Sequence, residues 1–351
     1  MVIEKYELAQ KINKLKGVVP KKTTIPALQG ILVKDGYLIA NNLEMSVKAK
    51  IEGAEGETFI IPMKAFDLIS NLPDGSVEVT LEKENSILIK SGKIRNRYQT
   101  MDPANFSLND TPESSGEEIT IKSELLLESI KRVSYAIPAQ SSNKMMTALC
   151  VQAEGGSLNF VGLDGHVLAW DRVDYQGDFS LLIPKATAEK ISSIGISGDV
   201  AIKNGKSSAI FITKDYEIYT RLIDGEYFKY KNMFNDLPLH TVIARNEFLD
   251  AMTRAKMCTD EQSPVRFEIS GSTMNISIKD YTTDYHETIT LQEELEQDLT
   301  IGFNARLVIE TLKAFDCDNV GIQFSNGKMP MIVEAEDSDF RAIVLPVAIK
   351  Q

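Results

Sequence analysis

The sequence predicts an α+β protein built from three similar units. Three observations carry that prediction: an apolar helical stripe that occurs three times, a strand-then-helix segment that recurs with it, and alternating runs that follow each copy. Near the N-terminus, Leu8, Ile12 and Leu15 fall at the i, i+4, i+7 spacing of one helix face. Leu126, Ile130 and Val133 repeat the stripe, and Phe248, Met252 and Ala255 repeat it again. The spacing between copies is roughly 120 residues, which is one domain length. The residue before the last member of each stripe is basic: Lys14, Arg132 and Arg254. A basic side chain there sits beside the apolar face, either as part of a functional surface or as an ordinary solvated helix residue.

The second element follows the same order. Phe59-Ile60-Ile61-Pro62 leads into Met63 to Leu72, Ser180-Leu181-Leu182-Ile183-Pro184 into Lys185 to Ile194, and Thr300-Ile301-Gly302-Phe303-Asn304 into Ala305 to Phe315. Proline or asparagine stands at each helix entry, where both are well tolerated. A polar turn and alternating strands come next: Val77 to Ile89, Asp199 to Ile212, and Asn319 to Glu334. Val77, Val79 and Leu81 alternate with Glu78 and Thr80, as in a half-buried strand. These repeats place three domains at 1–118, 119–241 and 242–351. Asn109 to Glu118 is linker-like in composition, and the second boundary falls around Asn235 to His240. So many strands would leave exposed sheet edges in a lone unit, and pairing edges between consecutive domains or subunits removes them. A curved array or ring is the expected consequence.

The bulk properties narrow the class. With 351 residues, 43% hydrophobic and 25% charged, the chain is an ordinary multi-domain globular protein rather than a disordered one. No apolar run approaches the ~18 residues of a membrane span, and the start lacks a secretory signal pattern, so a cytoplasmic protein is expected. Cys150, Cys258 and Cys317, in or beside apolar runs, read as reduced thiols. The net charge of −12, from 38 basic and 50 acidic residues, is a poor fit to a protein that coats itself with nucleic acid over its whole surface. It leaves room for one local basic surface on an acidic body.

Chemistry is hard to find. His166, His240 and His286 are widely separated, with no partner at zinc-ligand spacing. Asp164-Gly165-His166 resembles a catalytic fragment, but Asp-Gly between two apolar runs is first of all a turn. Gly155-Gly156 and Gly195 to Gly198 lack the lysine and hydroxyl residue of a phosphate-binding loop. Acidic runs such as Gln292 to Asp298 read as solvated faces or loops. No catalytic residue, metal or cofactor is expected.

Four segments, taken in order, carry a resemblance. They are Thr24-Ile25-Pro26-Ala27-Leu28 through Leu38-Ile39-Ala40 to Asn42-Leu43-Glu44-Met45; Leu163-Asp164-Gly165-His166-Val167-Leu168-Ala169; Tyr219-Thr220-Arg221-Leu222-Ile223-Asp224-Gly225-Glu226-Tyr227; and Gly302-Phe303-Asn304 to Val344-Leu345-Pro346-Val347. Over nearly the whole chain the sequence resembles the bacterial DNA polymerase III beta subunit family, the sliding clamps. That resemblance implies a head-to-tail homodimer of six similar domains, with helices lining a central hole and sheets outside. Double-stranded DNA would pass through the hole without sequence readout. The implied partners are the replicative polymerase alpha subunit, the clamp loader, other DNA polymerases and mismatch-repair proteins, all docking short linear motifs. No turnover and no membrane contact are implied, and the expected location is the cytoplasm, at the nucleoid during replication.

The same resemblance assigns residues. A peptide pocket is implied at Met146, Leu163, Gly165, His166, Val167 and Leu168, with Arg254 and Ala255, and with Ile343, Val344, Leu345, Pro346 and Val347. The family often has threonine where Leu163 stands, arginine where Val167 stands, and methionine at Leu345 and Val347, so peptide preference is expected to differ. Leu163, Leu168, Val344 and Leu345 also read as core strand residues, and the two readings stay open. Lys22 and Gln140 match DNA-contact positions, while Lys14 and Arg132 join them from the repeat pattern. Phe106 and Leu108 match interface positions facing Asn275 and Ile276, although Phe106 also reads as a core aromatic under a loop. Two other classes remain as alternatives: a scaffolding oligomer of the same repeat, and a metal-dependent enzyme using acidic residues.

Overall fold

The computed structural model describes residues 1–82, 85–109, 119–259, 263–279 and 283–349. Of the expected linker Asn109–Glu118, all but Asn109 lies outside the described residues. The three apolar stripes become helices α1 (Lys5–Leu15), α3 (Ser123–Val133) and α5 (Arg245–Met257). All nine stripe residues are 0% exposed. The second element gives α2 (Phe66–Asn71), α4 (Lys185–Ile194) and α6 (Ala305–Ala314).

The helix starts follow their entry residues. Pro62 and Pro184 end the strands Thr58–Pro62 and Phe179–Pro184, and Asn304 caps α6 by accepting from Arg306 N at 2.9 Å and Leu307 N at 3.4 Å. The first copy is shorter than its pattern. Met63–Ala65 is a 3-10 turn, and α2 stops because Leu72, ahead of Pro73, is extended at φ −63°, ψ 151°.

Contacts divide the chain into two compact units, Met1–Leu127 with Glu189–Leu222, and Glu128–Ala188 with Ile223–Gln351. The middle repeat therefore gives part of itself to each. In the first unit an eight-stranded antiparallel sheet runs Thr58–Pro62, Gly30–Lys34, Tyr37–Asn41, Met45–Lys50, Tyr216–Arg221, Ser208–Ile212, Asp199–Asn204, Ile119–Lys122. Its seam is the register from Ala49↔Tyr216 to Met45↔Thr220. The second unit repeats the arrangement: Phe179–Pro184, Ala148–Glu154, Ser157–Leu163, Val167–Asp174, Arg341–Val344, Met331–Ala335, Asn319–Phe324, Leu239–Ala244. Its seam pairs Val167 with Val344 and Trp170 with Arg341. At both seams the edge strand of one repeat is completed by the next, which is the edge-pairing solution expected from the strand count.

Two smaller sheets remain. Val2–Glu4, Ser76–Glu82, Ser86–Ser91 and Ile94–Gln99 form one, with Ile94–Gln99 at its edge. Val265–Lys279 and Asp284–Phe303 form a long hairpin whose register shifts around Gly271. Buried Leu291, Leu295 and Leu299 recur every fourth residue along it, and the acidic run Gln292–Asp298 supplies its solvated face.

Candidate functional site

The Asp164 segment is a hairpin turn. Asp164 Oδ1 accepts from His166 N and Val167 N, both at 2.9 Å, and Asp164 N donates to Val167 O at 3.1 Å. Gly165 takes φ +86°, a conformation that favours glycine, and a Cβ there would sit 3.8 Å from Met146 Cε. His166 is exposed, and its carbonyl accepts from Leu345 N at 2.8 Å.

The flanking strands build a buried apolar cluster, so Leu163, Leu168 and Ile343 are core strand residues. Leu163 pairs with Leu168, and Leu168 with Ile343, so all three share one sheet face. They join a buried cluster with Ala148, Cys150, Leu182 and Ile332, against which Met145, Met146, Trp170, Tyr227 and Phe228 are half-buried. Val167 and Val344, one residue out of phase, belong to the opposite, buried face. Leu345 is 38% exposed, Pro346 and Val347 are half-buried, and Val347 N donates to Gly302 O at 2.8 Å. The structure thus brings together Met146, Leu163, Gly165, His166, Leu168, Ile343 and Leu345. Ala255 is a core residue of α5. Arg254 is engaged with the long hairpin, where its Nε donates to Glu287 Oε2 at 3.0 Å. That hydrogen bond is the main reason the Glu287 carboxyl is held below the usual range.

The aromatic strap Tyr227, Phe228, Tyr230 and Phe234 was not singled out from the sequence, although four aromatics within eight residues were its signal. It covers the Trp170 side of the cluster. Trp170 lies 5.3 Å from Tyr230 and 5.2 Å from Phe234, and its Nε1–H donates to Asn159 Oδ1 at 2.9 Å.

The candidate DNA contacts separate into two kinds. Lys22 and Gln140 are exposed. Lys14 is half-buried, its ammonium 5.5 Å from the Tyr216 ring centroid and close to Gly195 at the end of α4. In return Lys190, from α4, donates to Lys14 O at 2.8 Å at the end of α1. Each helix lends an ammonium to the negative end of the other. Arg132 is more fully committed. It donates to Asp171 Oδ1 at 3.2 Å and Glu128 Oε1 at 2.6 Å, and lies 5.9 Å from the Phe340 ring. Asp171 is 1% exposed, and burial pushes its carboxyl above the ordinary value against the pull of Ser129 and Arg132.

Among the interface candidates, Phe106 is a core side chain packed with Ala27, Leu28, Leu32, Ile39 and Ile60. Ile276 is fully buried, while Leu108 and Asn275 are exposed. Asn275 Oδ1 accepts from Thr288 Oγ1 at 2.7 Å. Cys150, Cys258 and Cys317 are all free thiols, and burial pushes Cys150 up to about 12. Among the described residues no three His, Cys, Asp or Glu are placed to hold a metal ion. No described helix is long and apolar enough to cross a membrane.

Comparison with known proteins follows the same three-part order. Family models for the DNA polymerase III beta subunit match residues 1–110 as its N-terminal domain, 120–229 as its central domain and 236–348 as its C-terminal domain. The beta sliding clamp of Proteus mirabilis is 24% identical over 99% of both chains. That of Escherichia coli K12 is 24% identical over 98% of both. Among solved structures, the Pseudomonas aeruginosa sliding clamp bound to griselimycin superposes with a TM-score of 0.92 at 22% identity, covering 99% of both chains. The DNA polymerase III beta subunit of Thermotoga maritima gives 0.90 at 24% identity, again over 99% of both. With all three domain models matched in sequence order, the chain belongs to the DNA polymerase III beta subunit family.

Proposed function

We propose that this chain is a sliding clamp: a homodimer closed head to tail around double-stranded DNA, which holds the replicative polymerase on its template without turnover of its own. The observation that carries the reading is the unbroken order of the three family domains, with relatives named beta sliding clamp aligned over 98–99% of both chains. In this reading the domains are 1–118, 119–241 and 242–351. The chain works in the cytoplasm, at the nucleoid during replication.

Ring closure joins the Ile94–Gln99 edge of one copy to the Val265–Lys279 edge of the next. Leu108 and Asn275 lie at the seam, supported from inside by Phe106 and Ile276. Lys22 and Gln140 make the principal phosphate contacts, with Lys14 and Arg132 contributing less because both already have partners. Such contacts read no bases, which suits a ring that travels over every sequence.

The apolar surface over Met146, Leu163, Leu168 and Ile343, rimmed by Gly165, His166, Leu345, Pro346 and Val347, takes a peptide with polar, leucine and phenylalanine anchors. Arg254, Ala255, Val167 and Val344 support it from α5 and the opposite sheet face. The polymerase alpha subunit, clamp loader, other DNA polymerases and mismatch-repair proteins share this site. Primer extension on a long, singly primed circle, with polymerase and loader present, tests the function. Product length is expected to rise by an order of magnitude or more when the chain is added; unchanged length would refute the reading.

A further inference from the structure

We infer that the apolar pocket continues into a subsite for a basic side chain, formed by Trp170 and a surplus of carboxylates, so that partner peptides with lysine or arginine beside their anchors are preferred. This rests on the peptide-pocket reading and adds the charge of the neighbouring peptide residue.

The strand register sets the direction. Leu168 and Ile343 are paired across the seam, and the next pair on the same face is Trp170 with Arg341. Beyond them, Arg172 reaches Asp339. Trp170, Arg172, Asp339 and Arg341, with Glu334 and Ser338, line a hollow of about 290 Å³. It lies beside Leu168 and Ile343 on the same sheet face.

Its charge is unbalanced. Arg341 is bonded to Glu334 and lies 3.7 Å from Asp236, while Arg172 bonds Asp339 at 2.8 Å. Three carboxylates, Glu334, Asp236 and Asp339, thus face two guanidinium groups. Asp236 and Asp339 are well exposed, so their ion pairs exchange readily with an incoming charge. An acidic peptide residue would meet this negative surplus. A basic one would relieve it.

Trp170 supplies the second half of the recognition. Its orientation is fixed by the Asn159 hydrogen bond and by Tyr230 and Phe234, yet it remains half-buried rather than enclosed. The same aromatic group already accepts a cation, because the Arg341 guanidinium lies 5.5 Å from the Phe234 centroid. A lysine or arginine entering from the Leu168 side finds an indole face below it and carboxylates around it.

The test uses the full chain and a fluorescein-labelled peptide with glutamine, leucine and phenylalanine anchors, flanked at both ends by paired lysines, alanines or glutamates. At low salt the lysine version should bind about three- to tenfold tighter than the alanine version, and the glutamate version more weakly than either. The lysine advantage should largely disappear in the Asp236→Asn/Asp339→Asn variant. It should survive Asp74→Asn, which removes a carboxylate from the other unit. Trp170 is the sole tryptophan. Unlabelled lysine peptide should therefore change its emission more than the alanine peptide does. Equal binding of lysine and alanine peptides would overturn the subsite while leaving the pocket intact. So would a lysine advantage undiminished in the double variant, because overall charge would then explain it. Failure of all three peptides to bind would remove the pocket and the subsite together.

Discussion

Replacing Arg132 by methionine isolates the most consequential ion pair near the proposed sites. The substitution keeps an unbranched apolar stem but takes the guanidinium from Asp171, whose side chain is 1% exposed while that of Arg132 is 19% exposed. Removing one partner of a buried pair costs about 3–5 kcal/mol. The partial exposure of Arg132 and the remaining influence of Ser129 on Asp171 lower this to about 2–4 kcal/mol. For a unit of this size that is a fall of roughly 4–16 °C in the melting transition. Fluorescence of Trp170, the residue next to Asp171, reports that transition directly.

The pH dependence follows from the direction of the Asp171 shift. Burial raises its folded-state pKa above the unfolded value of 3.8. The stability it contributes is therefore fully present below that value and is lost as pH rises through the folded value. Without Arg132 the folded value moves further up, so the deficit of Arg132→Met is largest near neutral pH and shrinks under acid conditions. Arg132→Met/Asp171→Asn should recover most of the loss. A single variant melting within about 1 °C of wild type, or a deficit below the unfolded value of 3.8 as large as that at neutral pH, would refute the argument.

Leu345→Asp places a charge on the pocket rim at an exposed position and should weaken anchor-peptide binding at least tenfold, about 1.4 kcal/mol, with little change in melting; fluorescence anisotropy measures it. Lys190→Met removes the ammonium from Lys14 O at the end of α1 and should cost about 1 kcal/mol, read as a small fall in the first unit's urea midpoint. Phe106→Ala should cost about 3–5 kcal/mol because the ring is core, so melting falls before sedimentation shows any change in assembly. Unchanged melting with loss of dimer would instead make Phe106 an interface plug.

The helices were the most legible part of the fold. Nine apolar residues at helical spacing, repeated at domain length, defined α1, α3 and α5, and each of the nine is buried. The Asp164-Gly165 turn was equally readable because its side-chain and glycine requirements are local. The long hairpin was less so. Leu291, Leu295 and Leu299 recur every four residues, a spacing that suggests helix, on a strand that pairs through a shifted register. Pairing at the two seams joins residues such as Trp170 and Arg341 that are far apart in the chain, so the hollow beside the pocket had no local signal. The commitment of Arg132 to Asp171 was hidden for the same reason. A basic residue on a helix flank does not reveal the carboxylate that another strand brings to it.

Encirclement is tested most directly by the topology of the DNA. Loaded onto circular duplex DNA and freed of loader, the protein should remain bound at moderate salt and leave rapidly once the circle is cut. Blocking the new ends with bulky adducts should restore retention. Lys22→Ala should weaken loading at a given salt concentration and make its salt dependence shallower by about one phosphate contact, without abolishing retention on closed circles. Equally fast release from circular and linear DNA, with the dimer shown intact by sedimentation, would contradict the account.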